Sequence, residues 1–514
     1  MAQSRREFLL NSALFGVGAA IGISPIQKLF GNKLPSSNMF TDGPTPRKKN
    51  ILFLAVDDLR PELGCYGHPM VKSPNIDALA KVGVQFDRAY CQQAVCAPTR
   101  ASLLTGRRPD TTKVYDLVTH IRKNLPEVET LQQYFMNRGY FSEGMGKLFH
   151  ASLEDEASYS IPHEVTKAET YALPENQTKK VKGGRKSTKK EAEDKESSRM
   201  RGPATECADV ADNFYEDGKL ADLAVKSLKK LAIKAKSKKE GEHQPFFLGV
   251  GFHKPHLPFV APKKYWDIYD RSKIQMPYPL RPKNAPDLAF APWGELRSYS
   301  DIPELGPCDE PKTRELIHGY YACVSYMDAQ VGKVMAELDR LDLRKDTIVI
   351  IWGDHGWKLG EYSEWSKHTN FELDTHVPMI ISDPDLPKGI KVNALTEFVD
   401  IFPTLTELCG LPLSVGMEGT SMVPLFSDPN RAWKKAAFSQ YPRGKKIMGY
   451  SMRTDQYRYN EWIEIKTNDI LARELYDLKN DPLCKECIVD KPENKEIVAQ
   501  LHLQLKAGWQ AAKP

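Results

Sequence analysis

The chain has 514 residues, 41% of them hydrophobic, yet past its first two dozen residues no apolar run approaches the ~20 residues of a membrane-spanning helix. No further membrane-spanning helix is expected there. A second Cys-x-x-Cys pair is also missing. Cys484-Lys-Glu-Cys487 stands alone among nine cysteines, whereas a structural zinc site draws on two such pairs. The pair can be a disulfide, a metal half-site or two free thiols, and an odd total leaves at least one cysteine over. Basic charge is scarce in the body of the chain as well. The net charge is +5, but residues 178–201 hold ten basic and four acidic side chains, and residues 1–50 hold seven and two. The remainder is net acidic, so no nucleic-acid partner is expected.

What is present begins with Ser4-Arg5-Arg6-Glu7-Phe8-Leu9-Leu10, followed by the weakly apolar, glycine-rich Ala13–Ile23. A twin arginine before such a run resembles a bacterial twin-arginine export signal, placed at 1–30, and implies the twin-arginine machinery as a partner and a periplasmic or cell-surface location. No Ala-x-Ala cleavage site is evident, which leaves an N-terminal membrane anchor open. A Pro- and Lys-containing linker occupies 31–49, a main domain 50–432 and a smaller C-terminal subdomain 433–514. Within the main domain, the hydrophilic Gly-, Lys- and Ser-rich segment 178–201 is expected to be a disordered basic insert.

Asn50–Val56, Pro245–Gly251 and Asp346–Trp352 are continuous apolar runs. Strands buried on both faces of a parallel sheet read this way. Between them, Val324, Met327, Val331, Val334, Leu338 and Leu341 recur at spacings of three and four, and Leu220–Lys236 is similar. Interleaved buried strands and amphipathic helices predict an α/β fold with a large, mostly parallel sheet. From about residue 433 the texture changes. Ala437–Tyr441, Lys446–Arg453 and Tyr457–Ile463 predict an antiparallel meander, and Ile497–Trp509 a closing helix.

Chemistry gathers where the strands end. The first run leads into Asp57-Asp58, the third into Gly353-Asp354-His355-Gly356, and the second into Phe252-His253-Lys254-Pro255-His256. Ligands of open parallel sheets bind at the carboxyl ends of the strands, so these clusters are expected to share one crevice. Taken singly, Asp57-Asp58 is a helix cap, Asp354-His355-Gly356 a turn, and His253 or His256 a structural histidine. Taken together, three carboxylates at one place require a cation, and oxygen ligands suit Ca²⁺ or Mg²⁺. Arg100, Lys147 and Lys367 would complete a pocket for a tetrahedral oxyanion ester.

A further stretch is Cys96-Ala-Pro-Thr-Arg100-Ala-Ser-Leu-Leu-Thr-Gly106. Pro98 suits a first helical turn, Gly106 can end the helix, and Cys96 falls just before a helix N-terminus that favours negative charge. This stretch, with Asp57-Asp58 upstream and Gly146-Lys147 and Asp354-His355 downstream, resembles the type I sulfatase family, and Gly251–Phe259, Asp354–Glu361, Glu364–Lys367 and Ile447–Thr454 resemble its iduronate branch.

The resemblance implies an alkaline-phosphatase-like sandwich and a sulfatase acting on a sulfated oligo- or polysaccharide, most specifically on the 2-O-sulfate of a terminal uronic acid. It implies that a formylglycine-generating enzyme converts Cys96 to formylglycine. It further implies that Asp57, Asp58, Asp354, His355 and an oxygen of residue 96 bind Ca²⁺ or Mg²⁺. Arg100 and Lys147 would hold the hydrated aldehyde with His150 beside them. His253 and Lys367 would meet the sulfate ester, and His256, Trp357 and Arg443 complete the expected substrate contacts. Two other readings stand against this one: a phosphate or phosphonate monoester hydrolase of the same superfamily, and a silent glycan-binding relative in which Cys96 stays a thiol.

Overall fold

The strand β1 (Asn50–Val56) is buried at every position because each of its faces meets a separate core. Ile51, Phe53 and Ala55 belong to one apolar cluster, and Leu52, Leu54 and Val56 to another, as the two-residue period of a strand requires. The first cluster takes in Leu103 and Leu104 of α1 (Cys96–Thr105) and Phe402 of the helix Ile401–Leu408. The second takes in Leu220 and Leu228 of α2 (Glu216–Ala235), with Val324, Met327, Val331, Val334 and Leu338 of α3 (Glu310–Arg340). Helices therefore cover both faces of the sheet, which is why its strands need no polar face. This computed structural model describes residues 48–177, 202–239 and 241–514. The twin-arginine segment 1–30, nearly all of the linker and the basic insert 178–201 lie outside the described residues. Among the described residues no helix is long and apolar enough to cross a membrane.

The other strands of this sheet are β2 (Val84–Tyr90), β3 (Phe141–Gly146), β4 (Phe246–Phe252), β5 (Thr347–Gly353), β6 (His376–Ser382), β7 (Ile390–Val392) and β8 (Thr396–Glu397). Their spatial order is β7-β2-β6-β5-β1-β4-β3, with β8 also paired to β2. β1 runs parallel to β4 and β5, β3 runs parallel to β4, and β6 is antiparallel to both of its neighbours. The carboxyl ends of β3, β4, β1 and β5 consequently open on one edge. The expected parallel sheet is present, with β6 as its reversed member.

The sequence pattern does not announce β3, because glycines interrupt its apolar run. They are needed for close approach. A Cβ on Gly144 would stand 2.2 Å from the Tyr159 ring, and one on Gly146, where φ is +70°, 2.3 Å from the carbonyl oxygen of Gly251. Beyond residue 433 lie β9 (Ala437–Arg443), β10 (Ile447–Arg453), β11 (Tyr457–Glu464) and β12 (Ile470–Asp477), an antiparallel sheet in sequence order, then α4 (Lys495–Ala511). The fourth strand was absent from the sequence reading because its middle is Arg473-Glu474. Glu474 is buried there, accepting bonds from Trp462 Nε1 at 2.7 Å and the Tyr476 hydroxyl at 2.6 Å. All nine cysteines are free, with Cys484 and Cys487 both buried.

Candidate active site

Each parallel strand delivers one part of the site. β1 ends at Asp57-Asp58, β5 at Asp354-His355, β4 at His253 and β3 at Lys147. α1 starts opposite them with Val95 as its N-cap, so Cys96 is the first residue inside the helix instead of the last one before it. Gly106 closes the helix in the left-handed region at φ +65°. Arg100, one turn after Cys96, lies on the same helix face.

The Cys96 Sγ lies 3.4 Å from Asp57 Oδ1, 3.2 Å from His355 Nε2 and 3.8 Å from Lys147 Nζ. Arg100, wholly buried, donates to Asp354 Oδ2 at 3.0 Å, to Asp57 Oδ1 at 3.2 Å and to the carbonyl oxygen of Leu148 at 3.1 Å. The Lys147 ammonium pairs with Asp57. On the other side of the crevice the Lys367 ammonium binds Asp58 at 3.0 Å and Glu295 at 2.9 Å. The backbone N–H of Asp58 donates to Asp354 Oδ1 at 3.0 Å, which ties the β1 and β5 ends together.

Asp57, Cys96, Asp354 and His355 each offer one potential ligand atom, all within 4.8 Å of one another and all buried. Asp58 stands beside this group, its Oδ1 3.4 Å from His355 Nε2. Three buried carboxylates and an imidazole nitrogen converging on one point form a donor set that fits a hard divalent cation.

Burial and charge set the protonation of the crevice in opposite directions. Burial would raise Asp57, but Lys147, His256 and Arg100 hold it well below the usual carboxylate range. Asp354 is raised, burial outweighing the pull of His355. Lys147 and Lys367 stay protonated: burial opposes their charge, while Asp57 for the first and Asp58 and Glu295 for the second more than restore it. Burial and then Lys147 drive His253 well below the ordinary histidine value, and the same causes bring His150 to about 3. Burial and then Asp57 push the Cys96 thiol well up.

Of the expected substrate contacts, His256 stands at the crevice, its Nε2 2.9 Å from Glu295 and its ring 4.9 Å from that of His253. Trp357 is wholly buried beneath the Lys367 ammonium, 4.7 Å from its ring centre, so it supports that lysine and does not line open space. Arg443 spends its donors on the carbonyl oxygens of Leu288, Ala289 and His368 at 2.9, 3.2 and 3.0 Å, and fastens backbone segments to one another. Glu295 escaped the sequence reading. It joins Lys367 to His256, and those two groups hold it well below its ordinary value against burial. A lone Glu in the irregular Ala291-Pro-Trp-Gly-Glu295 stretch carries no spacing that would have marked it.

A seven-strand path of mostly parallel strands, with helices on both faces and a carboxylate crevice at its carboxyl edge, is an alkaline-phosphatase-like fold. The sulfatase family profile matches residues 49–411, and one described as the C-terminal part of N-sulphoglucosamine sulphohydrolase matches 360–511. The chain belongs to the sulfatase family and is a sulfuric ester hydrolase. It is 34% identical over 511 residues to iduronate 2-sulfatase of Mus musculus, across 84% of this chain and 89% of the mouse protein. The Homo sapiens iduronate 2-sulfatase is likewise 34% identical, over 508 residues, 84% of this chain and 90% of its own length. A phosphonate monoester hydrolase from Silicibacter pomeroyi shares the fold with a TM-score of 0.70 at 22% identity, across 90% of this chain and 96% of that one.

Proposed function

We propose that this sulfatase removes the 2-O-sulfate of a uronic acid at the end of a sulfated carbohydrate chain, with a formylglycine made from Cys96 as its nucleophile. The likeness to iduronate 2-sulfatases supports the substrate class. The setting of residue 96 supports the conversion. A working thiolate needs a depressed pKa, whereas burial and Asp57 push this thiol the opposite way. The converted residue would present a hydrated aldehyde, an oxygen nucleophile that Arg100 and Lys147 would hold, with His150 beside them. The conversion requires a formylglycine-generating partner, and the twin-arginine start supports delivery to the periplasm or cell surface.

Asp57, Asp58, Asp354 and His355, with an oxygen of residue 96, would hold the divalent cation, Ca²⁺ or Mg²⁺. Bound there, it would supply Lewis acidity toward the ester and neutralise the carboxylates. Lys147 and Lys367 keep their protons and present positive charge to the sulfuryl oxygens. Arg100 fixes Asp57 and Asp354 relative to the nucleophile. His253 rests neutral because burial and Lys147 disfavour its charge. An arriving sulfate monoanion offsets that repulsion, so proton uptake by His253 and delivery to the departing sugar oxygen are tied to substrate binding.

The test compares sulfate and phosphate esters of the same alcohol, and a panel of sulfated disaccharides, on protein from the native host. Sulfate preference, a uronate 2-O-sulfate among the substrates and an aldehyde at residue 96 by peptide mass are expected. Cys96→Ala should lower turnover by at least ~10³-fold without unfolding the protein. A clear phosphate preference or an unmodified cysteine overturns the reading.

A further inference from the structure

Arg281, Phe290, Trp293 and Arg297, with Asp287, border an open pocket of about 400 Å³, joined to the crevice through Glu295, which binds Lys367 and His256. That volume suits a sugar-sized ligand. Its walls are fastened to the segment that carries Lys367. Arg281 pairs with Glu364 at 3.2 Å, the Phe290 ring lies 5.7 Å from that of Phe371, and Arg443 ties the carbonyls of Leu288 and Ala289 to that of His368. The short helix Gly294–Arg297 makes the direct link. Glu295 reaches Lys367 at 2.9 Å, and Arg297, two residues on, borders the pocket.

The pocket is electrostatically unfinished. Arg281 keeps 54% of its side chain exposed despite its contact with Glu364. Arg297 lies 3.4 Å from the Trp293 ring centre and donates to the carbonyl oxygens of Pro303 at 2.7 Å and Gly306 at 2.9 Å. Among the described residues no carboxylate forms an ion pair with it. Neutral carbonyls fix the orientation of the guanidinium without cancelling its charge, and against the two cations the pocket border sets one acid, Asp287.

We propose that this pocket is a subsite for the sugar adjoining the reacting uronate, where Arg281 and Arg297 bind a second sulfate. The proposal rests on the uronate-sulfate reading of the crevice and adds the second sugar to it. A planar guanidinium binds a sulfate through paired N–H donors, and two on one pocket favour substrates that carry charge on both sugars.

The experiment uses two disaccharides with the same 2-O-sulfated uronate, one bearing a sulfate on the second sugar and one not. Wild-type protein, Arg281→Gln and the Arg281→Gln/Arg297→Gln pair are compared by steady-state kinetics and by calorimetric titration. The second sulfate is expected to lower KM by about tenfold in wild type, the worth of one hydrogen-bonded charge. Arg281→Gln should reduce that preference and the pair should erase it, with kcat and the monosulfated substrate unchanged. The subsite is overturned if wild type shows no preference, if the pair retains it, or if both substrates suffer equally. If neither disaccharide is turned over, the uronate reading falls, and the titration still decides the subsite: equal affinity of wild type for the two overturns it.

Discussion

Two of the regions where this molecule buries charge are built differently. Where β8 meets the start of the C-terminal sheet, Arg108 binds both oxygens of Glu397 at 2.7 and 2.8 Å, and Lys434 reaches Glu397 at 2.7 Å and Asp400 at 2.6 and 2.8 Å. Backbone N–H groups of Glu397 and Thr420 fill the remaining sites on Asp400. Two cations and two anions close on one another. In the crevice, Asp57, Asp58, Asp354 and Glu295 face Arg100, Lys147 and Lys367, and four histidines, His150, His253, His256 and His355, crowd the same space. Fixed cations do not match the anions there, and imidazole rings occupy the space between them. Burial of charge alone is no mark of function; convergence of unmatched charge with groups able to exchange protons is.

The same substitution made in both regions tests that contrast most severely. Lys434→Met leaves Glu397 and Asp400 buried with Arg108 alone, and is expected to lower the free energy of unfolding by about 3–5 kcal/mol. Turnover per folded molecule should not change. Lys147→Met should do the reverse, with turnover of a small sulfate ester down by ~10²–10³-fold and a smaller loss of stability. Denaturant unfolding and initial rates on both variants decide it. Equal behaviour of the two would erase the distinction.

The crevice was far more legible in the sequence than the ion-pair seam. Asp57, His253 and Asp354 each follow an unbroken apolar run, and a strand buried on both faces announces itself by having no polar side, so the residue after it is a strand end by elimination. Pro98 and Gly106 mark the helix that carries Cys96 and Arg100, while the roles of those two residues come from the resemblance of the stretch to the sulfatase signature. Arg108, Glu397, Asp400 and Lys434 have no such frame, because none of them follows a continuous apolar run and Arg108 reaches Glu397 across 289 residues. Glu295 is hidden for the same reason: its partners Lys367 and His256 come to it from other segments. Gly-rich β3 and charged β12 were missed because close packing in one and a buried carboxylate in the other override strand propensity.

Acid separates the regions again, with a smaller effect. Burial would raise Glu397 and Glu372, but Arg108 and Lys434 hold the first at about 2, and Arg458 and Arg453 the second. Both folded values lie below the unfolded 4.5, so their contribution is complete above pH 4.5 and is lost as pH falls from there toward 2. Each is worth on the order of 3 kcal/mol. Unfolding free energy is expected to fall steeply across that window, and Glu397→Gln should flatten the slope while lowering the plateau. A slope indifferent to that substitution would mean that the seam is not what acid breaks.

The finest test lies at Glu295, which belongs to the crevice by position but resembles the seam in its bonding, since it fixes Lys367 and His256 at 2.9 Å each. Glu295→Gln keeps the shape and removes the charge. If the residue positions those two groups for the ester, kcat should fall about 5–10-fold with KM little changed, and stability should move by less than ~1 kcal/mol. Glu295→Asp, which restores the charge at a shorter reach, should recover part of the rate. A loss of stability with kcat intact would instead place Glu295 with the closed ion pairs, and the boundary between the two kinds of buried charge would then run between Glu295 and Asp58.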